Sequence, residues 1–195
     1  MADRFDIPLI GAGELFRAEI AEGTALGKLA KKYVEQGALA PDELVNAIMA
    51  HRLKILDISR GFFLDGYPRN VEQATHLDRL AKVNLALHIK ISDAEAVRRL
   101  LGRIQCVACK QVYHLVDSPP IKPGVCALCG HKLVRRTDDT EELIRERLGA
   151  YHFMTEPIAS YYRQRGVLLT INGEQPIPYV FEDMMKKLTK LGFSS

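Results

Sequence analysis

The chain has 195 residues, with 27 Lys and Arg against 24 Asp and Glu (formal charge +3), 47% hydrophobic and 26% charged residues, and no Trp. That balance suits a globular core and argues against disorder, a fibrous repeat, a strongly basic nucleic-acid surface or an aromatic base-stacking platform. No apolar run approaches the roughly 20 residues of a spanning helix, and Met1-Ala2-Asp3-Arg4-Phe5-Asp6-Ile7-Pro8 is neither a signal nor a transit peptide, so a cytoplasmic protein without nucleic-acid or membrane partners is expected.

Ile7–Ile10 reads as a short strand ending at Gly11-Ala12-Gly13. Glu14–Ala21 has helical spacing, with Leu15, Phe16 and Ala18 apolar against Arg17 and Glu19. Ala25–Gln36 is a second helix, closed by Gly37. Pro41-Asp42-Glu43 opens a third, Leu44–Lys54, because proline suits the first helical position and acids suit the first turn. Gly61-Phe62-Phe63-Leu64-Asp65 is a compact apolar run ending on an acid and then Gly66, the pattern of a buried parallel strand. Val71–Leu80 is helical, Leu85–Ile91 is a strand, and Asp93–Arg103 is a helix capped by Ser92 or Asp93. Asp138 and Glu141 form a capping box ahead of a helix over Glu141–Arg165, which Pro157 should kink or interrupt. Val167–Ile171 is the last strand and Tyr179–Leu191 the last helix. The alternation predicts an α/β fold with a parallel sheet and a ligand site at the carboxyl ends of its strands, where Asp65 and Gly66 fall.

All four cysteines lie in one window: Cys106, Cys109, Cys126 and Cys129. Two C-x-x-C pairs at this separation suit a tetrahedral zinc site, since each knuckle supplies two thiolates from one turn. Two disulfides or free core thiols are the alternatives, and a cytosolic setting and the doubled knuckle argue against both. Four thiolates leave no open coordination position, so the metal is expected to be structural. His114 and His131 lie nearby and are not read as ligands. The intervening segment carries Ser118-Pro119-Pro120, Pro123 and Gly124 and cannot form a long helix, while Val112-Tyr113-His114-Leu115 reads as a short strand. A lobe this small needs such a staple.

Gly61-Phe62-Phe63-Leu64-Asp65-Gly66-Tyr67-Pro68-Arg69 resembles the signature of the adenylate kinases and related nucleoside monophosphate kinases. Gly23-Thr24-Ala25-Leu26-Gly27-Lys28, Arg99-Leu100-Leu101-Gly102-Arg103 and Tyr151-His152 look like the same family. The two-knuckle lobe is similar to the zinc lid of its long bacterial forms. The resemblance runs over nearly the whole chain. It implies a monomeric P-loop NTPase-type core with helices on both faces of a parallel sheet, made of residues 1–10, 41–102 and 140–195. It also implies an AMP-binding insert over 11–40 and a zinc lid over 103–139. The implied reaction is MgATP + AMP to two ADP, with structural zinc, and with Mg²⁺ accompanying ATP.

The resemblance also implies roles. Arg17 and Arg69 hold the AMP phosphate, Arg103 reaches the ATP phosphates, and Arg136 and Arg147 close over both nucleotides; arginine forks suit this because they are permanently charged and bidentate. Arg99 is a further phosphate candidate. Asp65 acts on Mg²⁺ through water. Gln73 reads the adenine of AMP with one donor and one acceptor. Ala12, Ala38, Leu39, Ala40, Gly66, Tyr67 and Pro68 complete the AMP site, and Val112, Tyr113 and Gln175 belong to the ATP side. His51, His76, His88 and His152 are read as structural, since nothing nearby makes a nucleophile–base pair.

The chain departs from the family pattern in two respects. The family opens with a strand, a G-x-x-x-x-G-K phosphate loop and a helix, and the 195 residues contain no such motif. Gly23-x3-Gly27-Lys28 has the wrong spacing. Aligning Ile7-Pro8 with the family leaves roughly twenty residues without a counterpart. Without that strand, Ile7–Ile10 and Phe62–Asp65 are separated from Leu85–Ile91 and Val167–Ile171, so the expectation is that the two halves close up, that the chain is loose, or that it is a fragment of a longer protein, with little or no kinase activity for the chain as written. A non-catalytic AMP-binding relic or a zinc-containing interaction module are the alternative readings. In addition, Ala12 stands where AMP-selective relatives usually carry Thr, and Ala40 where Val is common. Ala at the first position looks like the uridylate and cytidylate kinases, which usually carry Asn where this chain has Gln73, and which lack the four-cysteine lid; AMP is kept as the acceptor.

Overall fold

The protein is described from a computed structural model covering residues 2–35 and 40–193. Gly37, Ala38 and Leu39, expected to close a helix and to line the AMP site, lie outside the described residues. In chain order the elements are α1 (Ala2–Phe5), β1 (Leu9–Gly11), α2 (Ala12–Glu22), α3 (Ala25–Glu35), α4 (Asp42–Ile55), β2 (Phe63–Asp65), α5 (Val71–Leu80), β3 (Ala86–Lys90) and α6 (Asp93–Leu101). The cysteine lobe follows with β4 (Arg103–Cys106), β5 (Val112–His114) and β6 (Leu133–Val134). Next come α7 (Glu141–Ala150), a π-helical turn (Tyr151–Thr155), α8 (Glu156–Gln164), β7 (Leu168–Asn172) and α9 (Ile177–Lys190). Among the described residues no helix is long and apolar enough to cross a membrane.

The fold is mixed α/β and divides into two units. The first comprises the chain up to Ala86, Met154–Leu168 and the residues from Thr189 on; the second comprises Leu87–Phe153 and Leu169–Leu188. In the first, β1 and β2 pair in parallel with Leu9 opposite Phe63, Ile10 opposite Leu64 and Gly11 opposite Asp65. The segments that begin at Ala12 and Gly66 therefore leave from the same carboxyl edge. Its core gathers Ile10, Ala12, Leu15, Ala30, Ile48, Met49, Leu53, Tyr67 and Leu77. Helices α2 and α3 can approach because Gly27 has no side chain: a Cβ there would fall 1.9 Å from the Glu19 carbonyl oxygen.

A second strand pair, β3 with β7, is parallel as well. The Ala86 N–H donates to the Val167 carbonyl and the Gly173 N–H to the Lys90 carbonyl, each at 2.8 Å, so both strands advance together. The described parallel strands thus form two separate pairs. Helix α9 buries Val180, Met184 and Leu188, one stripe at four-residue spacing. The lobe is an antiparallel sheet in the order β5–β4–β6.

Three expectations are corrected, and the expected interruption of the C-terminal helix is found. Strand β1 is Leu9–Gly11, shifted from Ile7–Ile10. Helix α6 stops at Leu101, and Arg103 begins β4, because Gly102 breaks the helix and the Leu115 N–H claims its carbonyl. The cap of α7 is Thr140, whose hydroxyl accepts the Leu143 N–H at 3.4 Å; Asp138 is committed to Arg136 instead. The long C-terminal helix is interrupted over Tyr151–Thr155, ahead of Pro157, which sits in the first turn of α8 where its missing N–H leaves no helical bond unmade. Ser92, one of the two expected caps, accepts the Glu95 N–H at the start of α6.

Candidate active site

In the first unit the carboxyl ends of β1 and β2 bring several expected residues together. A Cβ at Gly66, where φ is +76°, would lie 3.7 Å from the Ala12 methyl and 3.6 Å from Arg69 Nη2, so the two turns meet closely. The Tyr67–Pro68 peptide is cis. Arg69 is exposed and folds back, its Nε donating to the Gly66 carbonyl at 2.9 Å. Arg17 is exposed one turn into α2, beside Gly13. Among the described residues neither guanidinium pairs with a carboxylate. Tyr67 is buried, and its hydroxyl donates to Asn46 Oδ1 at 2.7 Å. Burial, then the charge of Asp42, push it up to about 12. Asp65 is exposed at the end of β2, and Ala40 is half-buried. Gln73 is buried, its amide held by Asp42 and by the Arg69 backbone.

Behind Arg17, on α2, lies Glu19, fully buried. Thr24 donates a short hydrogen bond to it, His51 Nδ1 lies 2.8 Å away, and Arg52 forms an ion pair at 2.7 Å. Burial alone would raise the Glu19 carboxyl; the hydrogen bonds from Thr24 and His51 and the charges of Arg52 and His51 outweigh it and hold the group below the usual range.

In the second unit three expected arginines converge on two adjacent aspartates. Arg103 donates to Asp139 through Nε at 2.8 Å and Nη2 at 2.5 Å. Arg136 makes the same two-point contact to Asp138, at 2.9 and 2.7 Å. Arg147 Nη1 lies 3.6 Å from both carboxylates. The hydrogen bond from Arg136 holds the Asp138 carboxyl below its ordinary range. Arg99 is committed elsewhere: Nε to Glu95 at 2.6 Å, Nη2 to the carbonyls of Gly173 and Gln175 at 2.7 and 3.4 Å. Arg99 and Gln175, both expected on the ATP side, are thereby joined.

The four thiol sulfurs lie within 4.8 Å of one another. The shorter separations are Cys109–Cys129 at 3.3 Å, Cys106–Cys129 at 3.4 Å and Cys109–Cys126 at 3.6 Å. A tetrahedron with Zn–S bonds of about 2.3 Å sets sulfurs about 3.8 Å apart, so the quartet fits zinc. Each knuckle is followed by a left-handed residue, Lys110 (φ +62°) and Gly130 (φ +74°). The Tyr113 hydroxyl accepts the Ala127 N–H at 2.9 Å, which leaves its proton for Cys126 Sγ at 3.5 Å. That bond first, and then the hydrogen bonds from the Cys129 and Leu128 N–H groups and from Cys109, outweigh burial and lower the Cys126 thiol to about 6. His114 Nδ1 accepts the Val116 and Asp117 N–H groups, and His131 Nδ1 meets the Cys129 carbonyl.

An adenylate kinase family profile matches residues 1–167. The adenylate kinase of Desulfitobacterium hafniense (strain DSM 10664 / DCB-2) is 44% identical over 187 residues, 93% of this chain and 86% of that protein. That of Methanosarcina barkeri is 41% identical over 195 residues, 97% and 90% of the two chains, and that of Thermoanaerobacter sp. (strain X514) 41% over 197 residues, 98% and 91%. The chain belongs to the adenylate kinase family. It is a nucleoside monophosphate kinase, whose reaction passes a phosphoryl group between ATP and AMP.

Against that membership, three carboxylates are the residues that sequence reasoning missed. Local pattern gives Asp139 no role and Asp138 that of a helix cap, although two acids among Arg135, Arg136 and Arg147 are a signal in themselves. Asp42 was read only as a first-turn acid, and nothing local betrays its reach to Gln73.

Proposed function

We propose the following division of labour for MgATP + AMP giving two ADP. An oxygen of the AMP phosphate attacks the γ-phosphorus, the bond to the β–γ bridging oxygen breaks, and its electron pair leaves with ADP. Such a transfer asks the protein for positioning and charge neutralisation rather than covalent chemistry. Arg17 and Arg69 bind the AMP phosphate. Arg103, Arg136 and Arg147 bind the transferring and ATP phosphates, with Arg99, Val112, Tyr113 and Gln175 on the ATP side. Gln73 reads the acceptor base in a pocket with Ala12, Ala38, Leu39, Ala40, Gly66, Tyr67 and Pro68. Asp65 holds Mg²⁺ through water, and that ion, when bound with ATP, neutralises phosphate charge. Zinc on Cys106, Cys109, Cys126 and Cys129 staples the lid, 103–139. The chain acts as a cytoplasmic monomer with a P-loop NTPase-type core and helices on both faces.

The observation that carries this reading is the convergence of Arg103, Arg136 and Arg147 on Asp138 and Asp139. Three permanent cations held around two acceptor groups form a ready receptor for phosphate oxygens, which can take the carboxylates' place. A coupled assay with MgATP and AMP should form two ADP for each AMP consumed, and none without AMP. Absence of AMP binding by calorimetry would overturn the reading.

A further inference from the structure

Two amide side chains converge on Asp42 at the start of α4. Asn70 Nδ2 donates to Oδ2 and Gln73 Nε2 to Oδ1, each at 2.6 Å. A carboxylate only accepts, so the NH₂ end of Gln73 must face Asp42. At its other end Gln73 Oε1 accepts the Arg69 N–H at 2.7 Å, and a backbone N–H only donates. Asn70 is fixed as well, because its Oδ1 accepts the Gln73 N–H at 2.8 Å as the cap of α5. Gln73 is only 4% exposed. Its amide is thus locked in one polarity, with one N–H and one oxygen lone pair still unused.

We propose that Asp42 is the residue that sets acceptor-base specificity. By deciding which end of the Gln73 amide donates, it selects a base that offers an N–H beside a ring-nitrogen acceptor, as N6–H and N1 of adenine do. A 6-oxopurine presents the reverse, O6 beside N1–H. Asp42 acts through Gln73 and is a positioning residue; the inference rests on the reading of Gln73 as the acceptor-base reader. An asparagine at 42 has one acceptor and one donor, so it cannot accept from both amides. A donor then faces a donor at Asn70 or at Gln73, and turning the Gln73 amide only moves the mismatch to the Arg69 N–H. The polarity is no longer fixed.

The test measures AMP and inosine monophosphate binding to the full chain by calorimetry, in the wild type and in Asp42→Asn, Asp42→Ala, Asp42→Glu and Gln73→Ala. The expected result is a preference for AMP that falls about tenfold in Asp42→Asn, and by a smaller factor in Asp42→Ala, where the Arg69 N–H still holds Gln73 Oε1. Asp42→Glu, which still only accepts, keeps the larger part of it. Asp42→Ala adds no mispaired donor and serves where Asp42→Asn melts early. If Gln73→Ala abolishes the preference while Asp42→Asn and Asp42→Ala retain it, Gln73 remains the reader and the role of Asp42 is overturned. If Gln73→Ala retains it, or the wild type binds both nucleotides equally, the Gln73 reading and the proposal fall together.

Discussion

Arg103 and Asp139 meet in a two-point contact at 2.8 and 2.5 Å, with the Asp139 side chain 1% exposed and Arg147 3.6 Å away. Removing one partner of a buried pair leaves an uncompensated charge, which costs about 3–5 kcal/mol. Asp139→Ala should therefore destabilise the second unit by about 3 kcal/mol. Asp138→Ala should cost about 1 kcal/mol or less, because the Asp138–Arg136 pair is two-fifths exposed and solvent screens it. Equal losses in denaturant titrations of the two variants would contradict this ranking.

Glu19 gives a pH dependence with a definite sign. Its carboxyl is held below the usual range in the folded chain. The unfolded state therefore binds its proton first as pH falls, and the stabilisation, fully present above the unfolded value of about 4.3, is lost as pH drops through the lower folded value. Glu19→Gln should flatten the stability–pH curve below about pH 5. A slope there as steep as the wild type's would count against it. Glu19→Leu, which leaves Arg52 with Glu22 at 2.8 Å as its remaining carboxylate partner, should cost about 1–3 kcal/mol near neutral pH.

Tyr113 donates to Cys126, and outer hydrogen bonds of this kind are worth about 10–100-fold in metal affinity. The wild type should bind one zinc per chain, and Tyr113→Phe should surrender it to a chelator at correspondingly lower chelator activity. Matching competition curves would show that the hydroxyl does no such work.

At Gly102 the backbone is ordinary, but a Cβ would sit 2.1 Å from His114 Nε2. Gly102→Ala should cost about 1–3 kcal/mol through overpacking. Adding His114→Ala should recover part of that loss, a coupling that a double-mutant cycle measures. Strict additivity would show that the clash is absorbed elsewhere.

What was legible in the sequence was local. The cysteine quartet could be read because each knuckle lies within one turn, and the cap Ser92 follows from residue type ahead of a periodic segment, whereas the cap Asn70 is seen only in the structure. The Phe63–Asp65 strand and the turn after it were equally plain. Asp138 was misread because two local roles, cap and arginine partner, compete, and the helix start one residue after Thr140 decided between them. The Asp42–Gln73 bond, the Glu19–Arg52 pair and the Gly102–His114 approach join residues far apart in the chain or on different elements, and no periodicity encodes them.

The cysteine quartet also has an entropic side. Holding Cys106 against Cys129 closes the whole proline-bearing segment into a loop, and a cross-link over a loop of this size removes about 3 kcal/mol of freedom from the unfolded chain. Ile121, Leu128 and Val116 in or beside that loop are largely exposed, so little apolar burial would hold it once the link is broken. With zinc on the quartet, the order of this segment would follow the activity of the metal ion, backed only by the small cluster of Ile104, Leu133 and Tyr113. A protease would find it when zinc is scarce, while the rest of the chain remained folded.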